Sequence, residues 1–249
     1  MRPPARARFA TGDDMSPWIK LSQARTPDGD CLVLRRSGDT FEIRCNGWEL
    51  MSNRAHHSEE TLGRLAVRHL SEGLPAVLIG GLGMGFTLRA ALDALPLGAR
   101  VTVAELLPEI VSWNRGCLAG LAGDPLEDRR VTMVCRDVAD LLRETPAGFD
   151  AIVLDVDNGP GAPSTGRNRQ LYSAGGLSLI RRALRPSGLL AVWAADPWPP
   201  FEDALGDVGL RWRSVRVPAR GTPGDPEHTI YLACRPPCRA RVEFRAAFP

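Results

Sequence analysis

The sequence predicts an α/β protein, a mostly parallel seven-stranded sheet preceded by a small N-terminal β subdomain, and three observations carry that prediction. From residue 76 onward, short apolar runs of strand length alternate with helical patterns, as parallel strands joined by crossover helices require. The first of those runs, Ala76-Val77-Leu78-Ile79, empties into Gly80-Gly81-Leu82-Gly83-Met84-Gly85, and a helical pattern over 86–95 follows at once. Before residue 55 the chain reads differently: two β-rich runs within 32–44 flank a Ser37-Gly38-Asp39 turn, the signature of a hairpin.

Taken in order, residues 1–15 are a basic tail bearing Arg2, Arg6 and Arg8 among prolines, expected to be disordered. No apolar run stands behind it to make a signal peptide or a membrane span, which points to a cytoplasmic protein. Residues 16–55 make the β subdomain. A charged helix is expected over 58–71, with Glu59 and Glu60 in its first turn, where the helix dipole favours acids. Strands are predicted at 76–79, 100–104, 131–135, 151–154, 189–194, 212–217 and 229–233, the last two antiparallel at one edge. That pattern matches the methyltransferase-type variant of the doubly wound, Rossmann-like fold. This domain spans 56–235, and 236–249 is a tail without a usable period.

Composition narrows the partners. With 249 residues, 44% of them apolar, the chain can bury one large core. The net charge is +2, and Lys20 is the one lysine among 31 basic residues, so there is no basic face built for nucleic acid. Six cysteines are too few and too scattered for a disulfide scaffold. Cys31, Cys45, Cys117 and Cys135 lie beside apolar stretches and read as small hydrophobes, while Cys234 and Cys238 have no second pair to complete a zinc set. No metal is expected.

In open α/β sheets ligands bind beyond the carboxyl ends of the strands. Three successive ends here carry an acid: Glu105, Asp137 and Asp155. Glu105 lies 20 residues beyond Gly85, the place from which a carboxylate grips a ribose diol, and Asp137 can accept from an exocyclic adenine amine. Asp155 opens the turn-rich loop Asp155-Val156-Asp157-Asn158-Gly159, which holds two carboxylates over the cleft. Such acids attract a cationic sulfonium donor and an ammonium acceptor, and can take the proton the amine must lose before it attacks carbon. Of His56 and His57, one is expected to face the cleft; Trp193 reads as core and Trp198 as a cleft wall.

These residues resemble the spermidine synthase (polyamine aminopropyltransferase) family over roughly 30–235. The likeness lies in 79–89, Glu105, Arg136-Asp137, Phe149-Asp150-Ala151-Ile152-Val153-Leu154-Asp155, Leu171-Tyr172-Ser173 and Leu184-Arg185-Pro186-Ser187-Gly188. It implies an S-adenosylmethionine or decarboxylated S-adenosylmethionine donor held by Gly80, Gly81, Gly83, Gly85, Glu105 and Asp137. Catalysis would fall to Asp155, Asp157 and Tyr172, and the binding of a small amine acceptor to His57, Glu59, Glu60 and Asn158. No nucleic-acid, membrane or metal partner is implied, and there is room for a homodimer. The chain also departs from the family. The G-G-G-D-G loop has lost its aspartate, Leu107 replaces the second acid of E-x-D, and D-S-T-D-P has become Asp155-Val156-Asp157-Asn158-Gly159. The junction helix only partly echoes tyrosine-histidine-glutamate, through His57, Glu59 and Glu60. A methyltransferase and a non-catalytic nucleoside-binding homologue therefore stay open. A dinucleotide dehydrogenase is disfavoured, because Phe86 stands where its third glycine belongs.

Overall fold

The structure, a computed structural model, describes residues 16–70, 72–156, 158–161 and 166–238, so the expected N-terminal tail, Asp157 and most of the C-terminal tail lie outside the described residues. Strands β1 (Ile19–Arg25), β2 (Cys31–Ser37), β3 (Thr40–Cys45) and β4 (Trp48–Ser52) form a four-stranded sheet in sequential order. The β2–β3 hairpin is the one legible in the sequence. β1 is not, because most of its side chains are exposed, Ala24 alone being buried, and it shows no sustained apolar alternation. One face of this sheet buries Leu32, Leu34, Phe41 and Ile43 in the same core as Leu62, Leu65 and Ala66 of helix α1 (His57–Val67), which docks the subdomain onto the rest. Each such side chain, once buried, contributes about 1.5–3 kcal/mol.

The second sheet contains β5 (Ala76–Gly80), β6 (Arg100–Glu105), β7 (Val131–Cys135), β8 (Phe149–Leu154), β9 (Leu184–Ala194), β10 (Arg211–Pro218) and β11 (Glu227–Cys234). Its order is β10-β11-β9-β8-β5-β6-β7, with β11 antiparallel to both neighbours and the β9-β8-β5-β6-β7 pairs parallel. All seven predicted strands are present; β9 starts earlier than expected, at Leu184. β5 is buried along its whole length, as a central parallel strand covered on both faces must be. Helices α2 (Phe86–Ala94), α3 (Pro108–Asn114), α4 (Val138–Glu144), α5 (Gly166–Leu171), α6 (Ala174–Ala183) and α7 (Pro199–Asp207) complete the chain, with two short 3₁₀ turns after α3. Two cores result, one on each face of the sheet: alternate residues of β5 divide between them, Val77 and Ile79 in one and Ala76 and Leu78 in the other.

One close approach positions the site. A Cβ on Gly63 of α1 would stand 2.4 Å from the Thr87 carbonyl oxygen, so only glycine lets α1 lie this near the first turn of α2. Among the described residues no helix is long and apolar enough to cross a membrane. The cysteine reading needs correction in two places. Cys117 and Cys135 are exposed rather than packed as small hydrophobes, and Cys234 and Cys238 are joined as a disulfide.

Candidate active site

The glycine loop follows β5 because its backbone needs conformations that side chains resist: Gly81, Gly83 and Gly85 have φ of 89°, 53° and 87°. A Cβ on Gly81 would lie 2.1 Å from the carbonyl oxygen of Asp155, so the loop is wedged against the end of β8. Glu105, only 9% exposed at the end of β6, accepts from the Leu82 amide at 3.0 Å with one oxygen and from the Leu107 amide at 2.9 Å with the other. It thereby ties the loop to the start of α3. Asp137 caps α4, accepting from the Ala139 amide at 2.8 Å. Gly81, Gly83, Glu105, Asp137 and Asp155 border one cavity of about 170 Å³. Gly80 and Gly85 do not. A side chain on Gly80 would meet Val138, and Gly85 packs by Pro125 and Asn114 while capping α2 in the left-handed region. They shape the loop rather than face the cavity.

A smaller chamber of about 50 Å³ adjoins the first, bordered by Glu59, Thr87, Asp155, Asn158 and Trp193. Leu50, Met51, Gly83 and Asp155 line both, so the N-terminal sheet supplies part of the wall and Asp155 stands at the junction. The Thr87 hydroxyl donates to Asp155 Oδ2 at 2.6 Å and also reaches the Glu59 carbonyl at 3.2 Å. Burial pushes the Asp155 carboxyl up to about 6, against the Thr87 hydrogen bond that favours its charge. Glu59 is pushed up to about 7, first by burial and then by the negative charge of Asp155. Among the described residues neither carboxylate forms an ion pair with an arginine or lysine. Two facing acids so placed favour a bound cation or a shared proton.

The remaining expectations divide. Asn158 borders the small chamber, but Glu60 points away, with its carboxylate 2.9 Å from His56 Nδ1 and 3.3 Å from Arg64. His57 packs its ring over Gly221, and His56 stacks on Phe86 with centroids 4.0 Å apart. Tyr172 is buried edge-on against Phe201, its hydroxyl turned towards the Val156 carbonyl at 3.5 Å, so it supports the loop from beneath instead of lining either chamber. Trp193 is buried in the core as expected and also walls the small chamber, while Trp198, expected as a cleft wall, lines neither chamber and covers Gly161. Sequence reasoning missed Thr87, Met51, Ser58 and His228. A wider concavity of about 640 Å³ lies between α4 and α6, where Arg143 and Arg182 stand and Asp137 is the one predicted site residue; its basic walls are the wrong place for a cation.

A glycine loop at the end of β5 and acids at the ends of β6 and β8, with β6 and β8 flanking β5, define a Rossmann-like α/β protein whose cleft opens at the carboxyl edge of its sheet. The spermine/spermidine synthase domain matches residues 56–204, and the chain belongs to that family. A polyamine aminopropyltransferase of Mycobacterium tuberculosis is 32% identical over 171 residues, 67% of this chain and 31% of that protein. Polyamine aminopropyltransferase 2 of Streptomyces coelicolor is 32% identical over 198 residues, 74% of this chain and 35% of that protein. The chain thus spans about a third of the length of these curated relatives. In fold it is similar to the spermidine synthase of Thermotoga maritima, with TM-score 0.68 and 18% identity over 87% of this chain and 72% of that one. A spermidine synthase in complex with the transition-state analogue AdoDATO gives TM-score 0.67 and 17% identity over the same shares.

Proposed function

We propose that this chain transfers a propylamine group from an adenosyl sulfonium to a small amine. The observation that carries this reading is the pair Asp155 and Glu59, which face one chamber without a cation of their own, with Asp155 also bordering the cavity where Gly81, Glu105 and Asp137 meet. In this reading the adenosine lies in the larger cavity, with its ribose on Glu105 and its base by Asp137, and the reactive carbon points at Asp155. The acceptor enters the small chamber as an ammonium ion. Asp155 takes its proton, the freed amine attacks the carbon beside the sulfonium, and the neutral thioether leaves. A carboxyl raised to about 6 is charged at neutral pH yet basic enough to accept that proton.

The loop Gly80-Gly81-Leu82-Gly83-Met84-Gly85 offers no acid to the propylamine end of the donor. Preference for decarboxylated S-adenosylmethionine over S-adenosylmethionine is therefore expected to be weaker than a loop aspartate would give. The test is mass spectrometry of reactions with each donor and a set of diamines, beside calorimetry with methylthioadenosine and S-adenosylhomocysteine. Propylamine adducts and heat from methylthioadenosine support the reading. Methyl adducts would move it to methyl transfer, and a folded protein that binds neither thioether would end it.

A further inference from the structure

Glu59 is joined to a second group that leads away from the chamber. The Ser58 hydroxyl, fully buried, lies 2.6 Å from Glu59 Oε2, 2.8 Å from His228 Nδ1 and 3.1 Å from the Trp193 indole nitrogen. A hydroxyl has one proton to give and two lone pairs, and an indole N–H can only donate. Trp193 thus fills one lone pair, and Ser58 must give its proton to Glu59 or to His228. When Glu59 is ionised, Ser58 donates to it and Nδ1–H of His228 donates to Ser58. When Glu59 is protonated, it donates to Ser58 and Ser58 donates to a bare Nδ1.

We propose that Ser58 and His228 carry the proton lost by the acceptor amine from the Glu59–Asp155 chamber to solvent. The proposal rests on the aminopropyl-transfer reading, in which one proton must leave at each turnover. The proton that Asp155 takes first crosses the chamber the two acids share, its O–H bond on Asp155 breaking as one forms on Glu59. The O–H bond of Glu59 then breaks as one forms on Ser58, and the original Ser58 O–H breaks as an N–H forms on Nδ1. The products are a Glu59 carboxylate and a His228 imidazolium, with no net change of atoms or charge. The ring then loses its Nε2 proton to water, and a turn of the half-buried ring that brings Nδ1–H to water lets it lose that proton and take one on Nε2, which restores the accepting tautomer.

The surroundings suit an outlet. His228 is half-buried at the start of β11, its ring tilted against Trp193 with centroids 4.6 Å apart and the exposed Asp196 near enough for its charge to act on the ring. Burial lowers its pKa and Asp196 raises it, so the ring is neither locked in its charged form nor shut off from protons. Of the other groups near it, Arg216 and Glu227 pair with each other at 3.3 Å, the β10 partner Val217 is apolar, and His57 lies over Gly221. A purely structural histidine would need only one of these contacts.

The test uses His228→Gln, which keeps an amide for Ser58 to bond but cannot take up and release a proton. Turnover in a weak, bulky buffer should fall about 10-fold, the low end of what proton-transfer groups contribute, with methylthioadenosine affinity unchanged. Added imidazole should restore the variant and leave the native chain unaffected. In parallel, the His228 ring is titrated by NMR in the native chain and in Glu59→Gln: coupled through Ser58 to an ionisable Glu59, the native ring should titrate in two linked steps, and the variant ring in a single step. An active native chain whose variant keeps full turnover, or is not rescued, overturns the relay alone, as does a titration unchanged by Glu59→Gln. A native chain that transfers no propylamine overturns the aminopropyl reading, and the relay's task with it, even where the titration shows the coupling.

Discussion

The two rims of the parallel sheet treat their carboxylates in opposite ways. At the amino ends of the strands, Asp128 beside β7 is gripped by Arg130 through contacts of 2.9 and 2.7 Å, and Asp150 of β8 accepts from Arg185 at 2.6 Å and from the Ala76 amide at 2.8 Å. Those hydrogen bonds from Arg130 hold the Asp128 carboxyl at about 2. At the carboxyl ends, Asp155 and Glu59 have a hydroxyl and each other, and burial pushes them to about 6 and about 7. A fork of guanidinium donors stabilises a carboxylate and leaves it inert. Desolvation without a cation leaves a base that holds its proton loosely and waits for a positive ligand.

Substitutions on the two rims should therefore move stability and activity in opposite directions. The largest expected effect is on Asp155→Asn: turnover about 100-fold to 10,000-fold lower, with thioether binding kept, measured by single-turnover kinetics and calorimetry. The same variant should be more stable than the native chain at pH 7.5, since it removes a buried charge. Asp128→Ala should do the reverse, losing about 2 kcal/mol of stability through its charged hydrogen bonds, with turnover unchanged. Equal stability changes for the two variants would erase the distinction between the rims.

Glu105→Gln tests the donor end. It keeps one oxygen for the backbone amides and should weaken methylthioadenosine binding about 10-fold, or 1.4 kcal/mol, by calorimetry.

The smallest and most diagnostic change is in pH dependence. Asp128, lowered from its usual value, contributes stability that is full above about pH 4 and lost as pH falls towards 2. Asp155 and Glu59, raised, contribute stability present below about pH 4 and lost as pH rises through about 6 to 7. Activity should rise over that last window as the base loses its proton. In Glu59→Gln the step near 7 should disappear while the rise near 6 stays, because burial holds Asp155 up and its charge is what raises Glu59.

Much of this was legible from the chain. β5, β8 and β9 stood out because strands covered on both faces are near-continuous apolar runs, and the acids stood out because Glu105 closes β6, Asp155 follows β8 directly and Asp137 lies two residues past β7. β1 did not, being largely exposed, nor did β4, which is five residues long with one buried residue, so they carry little apolar pattern. The site blurred where partners come from distant segments. Ser58 meets Trp193 across 135 residues and His228 across 170, and no local spacing announces either contact. Glu59 and Glu60 are indistinguishable in sequence, and only the helix rotation that packs Gly63 against α2 puts the first in the chamber and leaves the second with His56 and Arg64.

The contact between Gly81 and the Asp155 carbonyl makes two tasks share one joint. In the proposed reaction, the backbone that comes close to the nucleoside is the same backbone that fixes how far the acid at the end of β8 stands from the reacting carbon. A methyl group added to the loop has no room to grow towards the ligand without first shouldering the acid aside. Damage done on the donor side would therefore surface as a fault in proton handling, and a kinetic survey alone would blame the wrong residue.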